Sequence, residues 1–236
     1  MPEEVPTELA TNLGHYRTSA AVALYSVYRL LPEEEYLFPK YYKAGENVLD
    51  LACGLGRTTL MLHEMGLAVR GVDRSDVFIQ IAQRRFPYLD LRVGSYDCIE
   101  EADSSFSHVL ISINGIDCAF PEAQRLAAIR ECARVLKPGG TFIYSSHNLK
   151  SMHLFSPYYR NQLRWKLRNC LKAFKEQSYI MENGEYLFYT TSDRVVQQTE
   201  EMGLKLLEMK GFSKIFDRLD KYFSPYIHYV FTKPLK

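Results

Sequence analysis

Hydrophobic residues fall into a repeating pattern along most of the chain. From residue 47 onward, short β-branched runs alternate with stretches of helical periodicity: NVLDL at 47–51, AVRGVD at 68–73, a run at 90–93, a run from His108 to Ile113 and another from Thr141 to Ser145. Such runs joined by helical crossovers predict a parallel sheet. The intervening helices are expected from about Arg57 to a C-cap at Gly66, from a cap at Ser75 or Asp76 to just before Pro87, and from Pro121 to Leu136. In the last of these, Leu126, Ile129, Ala133 and Leu136 share one face. A short helix at about 193–202 and strands at 204–209 and 227–232 complete seven strands, a doubly wound α/β arrangement.

Two segments depart from this alternation. Residues 1–44 read as a helical lead: polar to residue 18, then a helix over Ser19–Leu31 with Val22, Leu24, Tyr25, Val27, Tyr28 and Leu31 at helical spacing, stopped by Pro32. Residues 147–190 read as an inserted lid, with a basic amphipathic helix and a hairpin over Tyr179–Tyr189 turning at Asn183 and Gly184. Both belong to one domain spanning 1–236.

Composition narrows the function. The 236 residues are 47% hydrophobic with a net charge of +1, which argues against a general electrostatic grip on nucleic acid. The five cysteines show no CxxC pair and no histidine at zinc-ligand spacing, so free thiols in a reducing compartment are expected. The acidic start MPEEVPTELA lacks an apolar core, and no stretch reaches the roughly 18 apolar residues of a membrane span. A cytoplasmic protein without membrane partners, a monomer or a homodimer, is the expectation.

The chemistry is expected in DLACGLGR, residues 50–57, between the first strand and its helix. Gly54 and Gly56 let the backbone turn sharply and approach a ligand, while Asp73 at the end of the second strand can accept both hydroxyls of a ribose. A dinucleotide would need a third glycine where Thr59 stands, and Asp50 would set a negative charge near its phosphates. A ligand with an ammonium and a ribose but no phosphate suits Asp50 and Asp73 better; S-adenosylmethionine is such a ligand.

The pieces VLDLACGLGRTT, VRGVDRSDVFIQIAQRRFP, SFSHVLISINGID and RECARVLKPGGTFIYSS, in that order over about residues 45–146, resemble the class I S-adenosylmethionine-dependent methyltransferases of small-molecule type. The resemblance implies a Rossmann-like, seven-stranded sheet, mostly parallel with an antiparallel last strand and helices on both faces. It sets Asp50, Ala52, Gly54 and Gly56, with Cys53 among them, beside the methionine portion of the cofactor. Asp73 would hold the ribose, flanked by Arg74 and Ser75. Where relatives place an Asp after Gly94 for the adenine amino group, this chain has Ser95, so Ser95, Tyr96 and Asp97 are taken together. Asn114 and Gly115 follow the fourth strand, where the methyl group faces its acceptor. Ala52 stands where many members have glycine. Asn114 occupies the place where a metal-dependent member would want an acid, and no metal is expected.

Methyl transfer to an amine or hydroxyl needs a group that holds or removes a proton, and His147, with Asn148 beside it, follows the fifth strand at the ligand-binding edge of the sheet. His15 and Tyr16 could close the pocket from the lead. Tyr158, Tyr159 and Tyr189 flank the insertion as pocket walls. Arg160 and Arg164 begin a basic stripe, either a solvated surface or a site for an acceptor bearing carboxylate or phosphate. The leading expectation is a methyltransferase acting on oxygen or nitrogen of a small molecule. An RNA or protein methyltransferase, or a cofactor-binding module without catalysis, are the alternatives.

Overall fold

The computed structural model describes residues 14–149, 179–182, 185–211 and 224–235. Strands β1 (Asn47–Leu51), β2 (Ala68–Asp73), β3 (Asp90–Val93), β4 (Phe106–Ile111) and β5 (Leu136–His147) pair in parallel. Two later strands, β8 (Lys205–Lys210) and β9 (Tyr226–Thr232), finish a seven-stranded sheet of order β3-β2-β1-β4-β5-β9-β8, with β9 antiparallel to both neighbours. A separate two-stranded hairpin, β6 (Tyr179–Glu182) with β7 (Glu185–Phe188), forms where it was expected. Its turn residues, Asn183 and Gly184, lie outside the described residues, as does the basic helix with Tyr158, Tyr159, Arg160 and Arg164.

The central strands are apolar because both of their faces are covered. Along β4 and β5, Val109, Ile111, Phe142 and Tyr144 point into one core layer with Ala128, Ile129 and Cys132 of helix α5 (Glu122–Val135). Leu110 and Ile143 point the opposite way, against Leu37, Phe38 and Leu62. Successive side chains of a strand alternate between faces, so one unbroken apolar run supplies both layers.

Helices α3 (Arg57–Glu64) and α4 (Asp76–Arg85) start where the sequence places them; the Ser75 hydroxyl caps α4 by accepting from the Phe78 N–H at 3.3 Å. α6 (Ser192–Glu200) precedes β8. Strand β4 begins two residues earlier than expected and ends at Ile111, because Ile113 and Asn114 take left-handed backbone angles of φ +45° and +54°. Strand β5 is longer than expected at both ends, with the Gly139 N–H reaching the Lys233 carbonyl across β9 at 2.7 Å.

The N-terminal lead differs most. One helix over Ser19–Leu31 was expected; instead α1 (Ser19–Tyr25) stops where the Ser26 hydroxyl turns back to the Val22 carbonyl at 2.6 Å. Pro32 then opens a second helix, α2 (Pro32–Tyr41). Proline suits the first helical position, where no N–H is needed, and Glu34 accepts the Leu31 N–H at 2.7 Å. Of the apolar positions that looked like a helix face, Val22, Tyr25 and Tyr28 pack against Ala21, Leu55 and Phe78, whereas Leu24 and Val27 border a cavity.

Candidate active site

The cavity has a volume of about 260 Å³ and opens at the carboxyl ends of β1, β2 and β4, the edge at which open α/β sheets hold ligands. Its inner wall is the β1–α3 loop. Gly54 and Gly56 take left-handed angles of φ +57° and +83°, as a tight turn there demands. Ala52 does so too, at φ +54°, so the position where many relatives carry glycine is one whose backbone favours glycine. Ala52, Cys53 and Gly54 line the cavity, and burial pushes the Cys53 thiol well above the usual thiol range.

Asp73 lies on the cavity wall with both oxygens anchored. Oδ2 accepts the Gly54 N–H at 2.8 Å and Oδ1 the Ser75 N–H at 2.7 Å. Burial pushes its carboxyl up, opposed by these two backbone donors. Each oxygen keeps lone-pair capacity for a diol. Asp50 does not reach the cavity wall: it is wholly buried, with Oδ2 accepting from the hydroxyls of Thr58 at 2.7 Å and Thr59 at 2.6 Å. Its Oδ1 has no hydrogen-bond partner among the described residues, and burial pushes the carboxyl up to about 6. Asp50 thus braces the loop from beneath.

The adenine candidates separate. Tyr96 and Gly94 line the cavity, whereas Ser95 and Asp97 do not. Asp97 is held by Arg74 (2.9 Å), by the Ser95 hydroxyl and by Gln124 (2.5 Å). Burial alone would raise the Asp97 carboxyl, but the Ser95 and Gln124 hydrogen bonds with the Arg74 charge hold it below the usual range. Arg74 lines the cavity and lies 5.4 Å over the Tyr96 ring. The acid is therefore spent on orienting Arg74.

Two arginines not singled out from the sequence also line the cavity. Arg57 forks onto Glu34 at 2.6 and 2.7 Å and donates to Ser112 at 2.7 Å. Burial would raise Glu34; its bonds with Arg57 hold it below the usual range. Arg29 differs: among the described residues its guanidinium has no hydrogen-bond or ion-pair partner. Of the lead residues, Tyr16 lines the cavity, its hydroxyl 3.2 Å from the Cys118 thiol and its ring against Phe78 at 5.8 Å. His15 lies edge-on to Tyr16 at 5.4 Å and is not on the wall.

Beyond the β4 end, Ile113 and Gly115 line the cavity, and Asn114 between them is held by its N–H to the Ser145 hydroxyl at 2.8 Å. The Asn114 amide nitrogen lies 3.4 Å from Nε2 of His147, and its Oδ1 is buried without a hydrogen-bond partner among the described residues. Tyr189 packs on the His147 ring at 4.6 Å. Asn148 does not join this group: its amide donates to the Ser224 carbonyl at 3.0 Å and its backbone N–H to Pro225 at 2.9 Å, so it ties β5 to the approach to β9. Among the described residues no group of three or more His, Cys, Asp or Glu side chains could hold a metal ion.

The cavity suits the cofactor. It offers anchored carboxylate oxygens at Asp73, a cation at Arg29 without a partner among the described residues, and close backbone: a Cβ at Gly115 would sit 2.9 Å from Ala52 Cβ, and one at Gly94 2.9 Å from Val72 Cγ1.

Residues 48–140 match the methyltransferase domain family, and the chain is similar to S-adenosylmethionine-dependent methyltransferases. The chain is 29% identical over 172 residues to a demethylmenaquinone methyltransferase of Tropheryma whipplei, covering 72% of this chain and 67% of that protein. It is 25% identical over 183 residues to a ubiquinone biosynthesis O-methyltransferase of Coxiella burnetii, covering 71% and 67%. A solved S-adenosylmethionine-dependent methyltransferase of Methanosarcina mazei shares the fold with a TM-score of 0.66 at 19% identity, covering 88% of this chain and 99% of that chain. No helix among the described residues is long and apolar enough to cross a membrane.

Proposed function

We propose that this methyltransferase acts on oxygen or nitrogen of a small, largely apolar acceptor, and that a hydroxyl is the group its site suits best. The observation that carries this reading is the placement of His147. Asn114 lies between two cavity-lining residues and turns its amide to the His147 Nε2 atom, so a base stands one side chain from the wall. The cavity mouth is apolar, with Leu24 66% and Val27 54% exposed on the lead and Ile113 43% exposed on the β4 loop. The names of the Tropheryma and Coxiella relatives, which refer to quinone-related small molecules, agree with an apolar acceptor.

When bound, S-adenosylmethionine supplies a methyl group made electrophilic by its positive sulfur. Asp73 would hold the ribose hydroxyls, with Gly54 and Ser75 fixing its carboxylate, and Ala52, Cys53 and Gly115 would border the methionine portion. Arg29 would pair with the carboxylate of that portion. Tyr16, Tyr25 and Phe78 wall off water on the lead side, which strengthens the electrostatics inside. The proton of the acceptor passes to Nε2 of His147 as the new bond to carbon forms. Tyr189 would flank the acceptor from the insertion. Arg160 and Arg164 stay candidates for an anionic group on it.

The experiment is a screen of phenols, aliphatic alcohols and primary amines with the full chain and S-adenosylmethionine, read by mass spectrometry, followed by His147→Ala. The expected result is methylation of a hydroxyl or amine, with turnover lowered about 10²- to 10⁴-fold in the variant and cofactor affinity retained. Methylation confined to carbon or sulfur acceptors would refute the acceptor class; unchanged turnover would remove His147 from the chemistry.

A further inference from the structure

Asp117 stands thirty residues before His147, in the single 3₁₀ turn Gly115–Cys118 that follows β4. It is wholly buried, and both of its oxygens are engaged. Oδ2 accepts the His147 backbone N–H at 2.7 Å and lies 2.8 Å from Nδ1 of the same residue. Oδ1 accepts the Ser146 hydroxyl at 2.8 Å and lies 3.8 Å from Nε of Arg125.

Arg125 is as deeply buried. Its Nη1 donates to Gln198 at 2.6 Å, its guanidinium rests 5.0 Å over the Phe188 ring, and Nε and Nη2 have no hydrogen-bond partner among the described residues. Tyr144 of β5 and Tyr229 of β9 share this layer closely enough that both charges act on their hydroxyls; Glu122 and Arg194 pair with each other at its edge, 2.8 Å apart. Burying a carboxylate and a guanidinium with donors left unfilled is a costly way to fasten a loop. A neutral amide has a single acceptor oxygen and could not accept from the His147 N–H, the Ser146 hydroxyl and Nδ1 together.

We propose that Asp117 is a positioning residue that fixes His147 in the tautomer carrying its proton on Nδ1, leaving the Nε2 lone pair toward Asn114, with Arg125 as its buried counter-charge. A carboxylate only accepts, so Nδ1 must donate to it, and a neutral ring then has its acceptor at Nε2. The Asn114 amide nitrogen, 3.4 Å from Nε2, is placed as a donor to a bare Nε2 would be. Tyr189 against the ring face restricts its swing from the third side. The inference rests on the reading of His147 as the base. In the transfer, the acceptor O–H bond breaks, its oxygen pair forms the bond to the methyl carbon, the carbon–sulfur pair stays on sulfur, and the proton goes to Nε2. The resulting imidazolium is stabilised by Asp117 until the proton leaves to solvent.

Nitrogen NMR of the full chain labelled at histidine, in alkaline buffer, tests this directly. The unmodified protein is expected to show His147 with a protonated Nδ1 and a bare Nε2. Asp117→Asn is expected to lose that preference while S-adenosylmethionine binding by calorimetry is retained; Ser146→Ala, which removes a contact on the other oxygen, is expected to keep it. A bare Nδ1 in the unmodified protein would overturn the assignment, and that spectrum decides even where Asp117→Asn does not fold. An unchanged tautomer in folded Asp117→Asn would overturn it equally. The expected spectra together with undiminished turnover in His147→Ala would instead sink the base reading and leave the placement of the proton standing.

Discussion

The carboxylate of Glu34 and the guanidinium of Arg57 meet through two parallel hydrogen bonds, joining α2 to the first turn of α3 at the cavity wall. The pair is almost wholly out of solvent, and Arg57 also donates to the Arg29 carbonyl at 2.8 Å. Removing one partner leaves a buried charge, so Glu34→Gln should cost about 3–5 kcal/mol in denaturant unfolding. The double variant Glu34→Leu with Arg57→Met should cost less than the two single changes added together. A double variant as damaging as that sum would show the two residues act independently.

Asp73→Ala removes the proposed ribose contact together with the two backbone anchors of the carboxylate. Cofactor affinity should fall by on the order of 2 kcal/mol, as for a charge-assisted pair. Calorimetry that finds no change would show that Asp73 serves only the backbone of Gly54 and Ser75.

Arg29→Gln should weaken S-adenosylmethionine binding by about 2 kcal/mol, roughly thirtyfold, if the guanidinium meets the carboxylate of the methionine portion. Methylthioadenosine has the same nucleoside without that carboxylate and should bind the variant and the unmodified protein alike. Equal losses for both ligands would place Arg29 on the nucleoside or in the fold of the lead.

His228 and Asp50 are shifted in opposite senses, and both titrate on the acid side of neutrality. Burial pushes the His228 ring down to about 4, and neither ring nitrogen has a hydrogen-bond partner among the described residues. Its contribution to stability is full above the unfolded value near 6.5 and is lost as pH falls through about 4. Burial pushes Asp50 up to about 6 from 3.8, so its contribution is full in acid and is lost as pH rises through about 6. His228→Leu should therefore reduce the loss of stability between neutral and acid pH by on the order of 2 kcal/mol. Asp50→Asn should have the reverse effect on the slope. Parallel unfolding curves across the acid range for His228→Leu and the unmodified chain would contradict this.

The parallel strands and the glycine loop were legible because their signals are local: apolar runs for strands buried on both faces, and paired glycines where the backbone turns back. Helix α2 was not, since PEEEYLFPKY reads as a proline stop followed by a polar run, and the burial of Glu34 depends on Arg57, twenty-three residues later. Pro32 with Glu34 two residues on carried a usable signal, that of a helix start. His147 could be placed from its position after β5, whereas its partner Asp117 is brought to it only by the packing of the 3₁₀ turn against the strand. Arg29 could not be told from any exposed arginine without knowing that its segment borders the cavity. Ser95 and Asp97 were matched by position, yet the competing hydrogen bonds of Arg74 and Gln124 decide what Asp97 does.

Ile113 is a β-branched residue held at φ +45°, a conformation it resists, and Asn114 follows it in the same region. Nothing in those two side chains would keep the bend once its moorings were cut. Transplanting Ile113–Gly115 into a related scaffold lacking the Ser145 hydroxyl would deliver the residues without their shape, so exchange of acceptor preference between such enzymes must carry that mooring along with the loop.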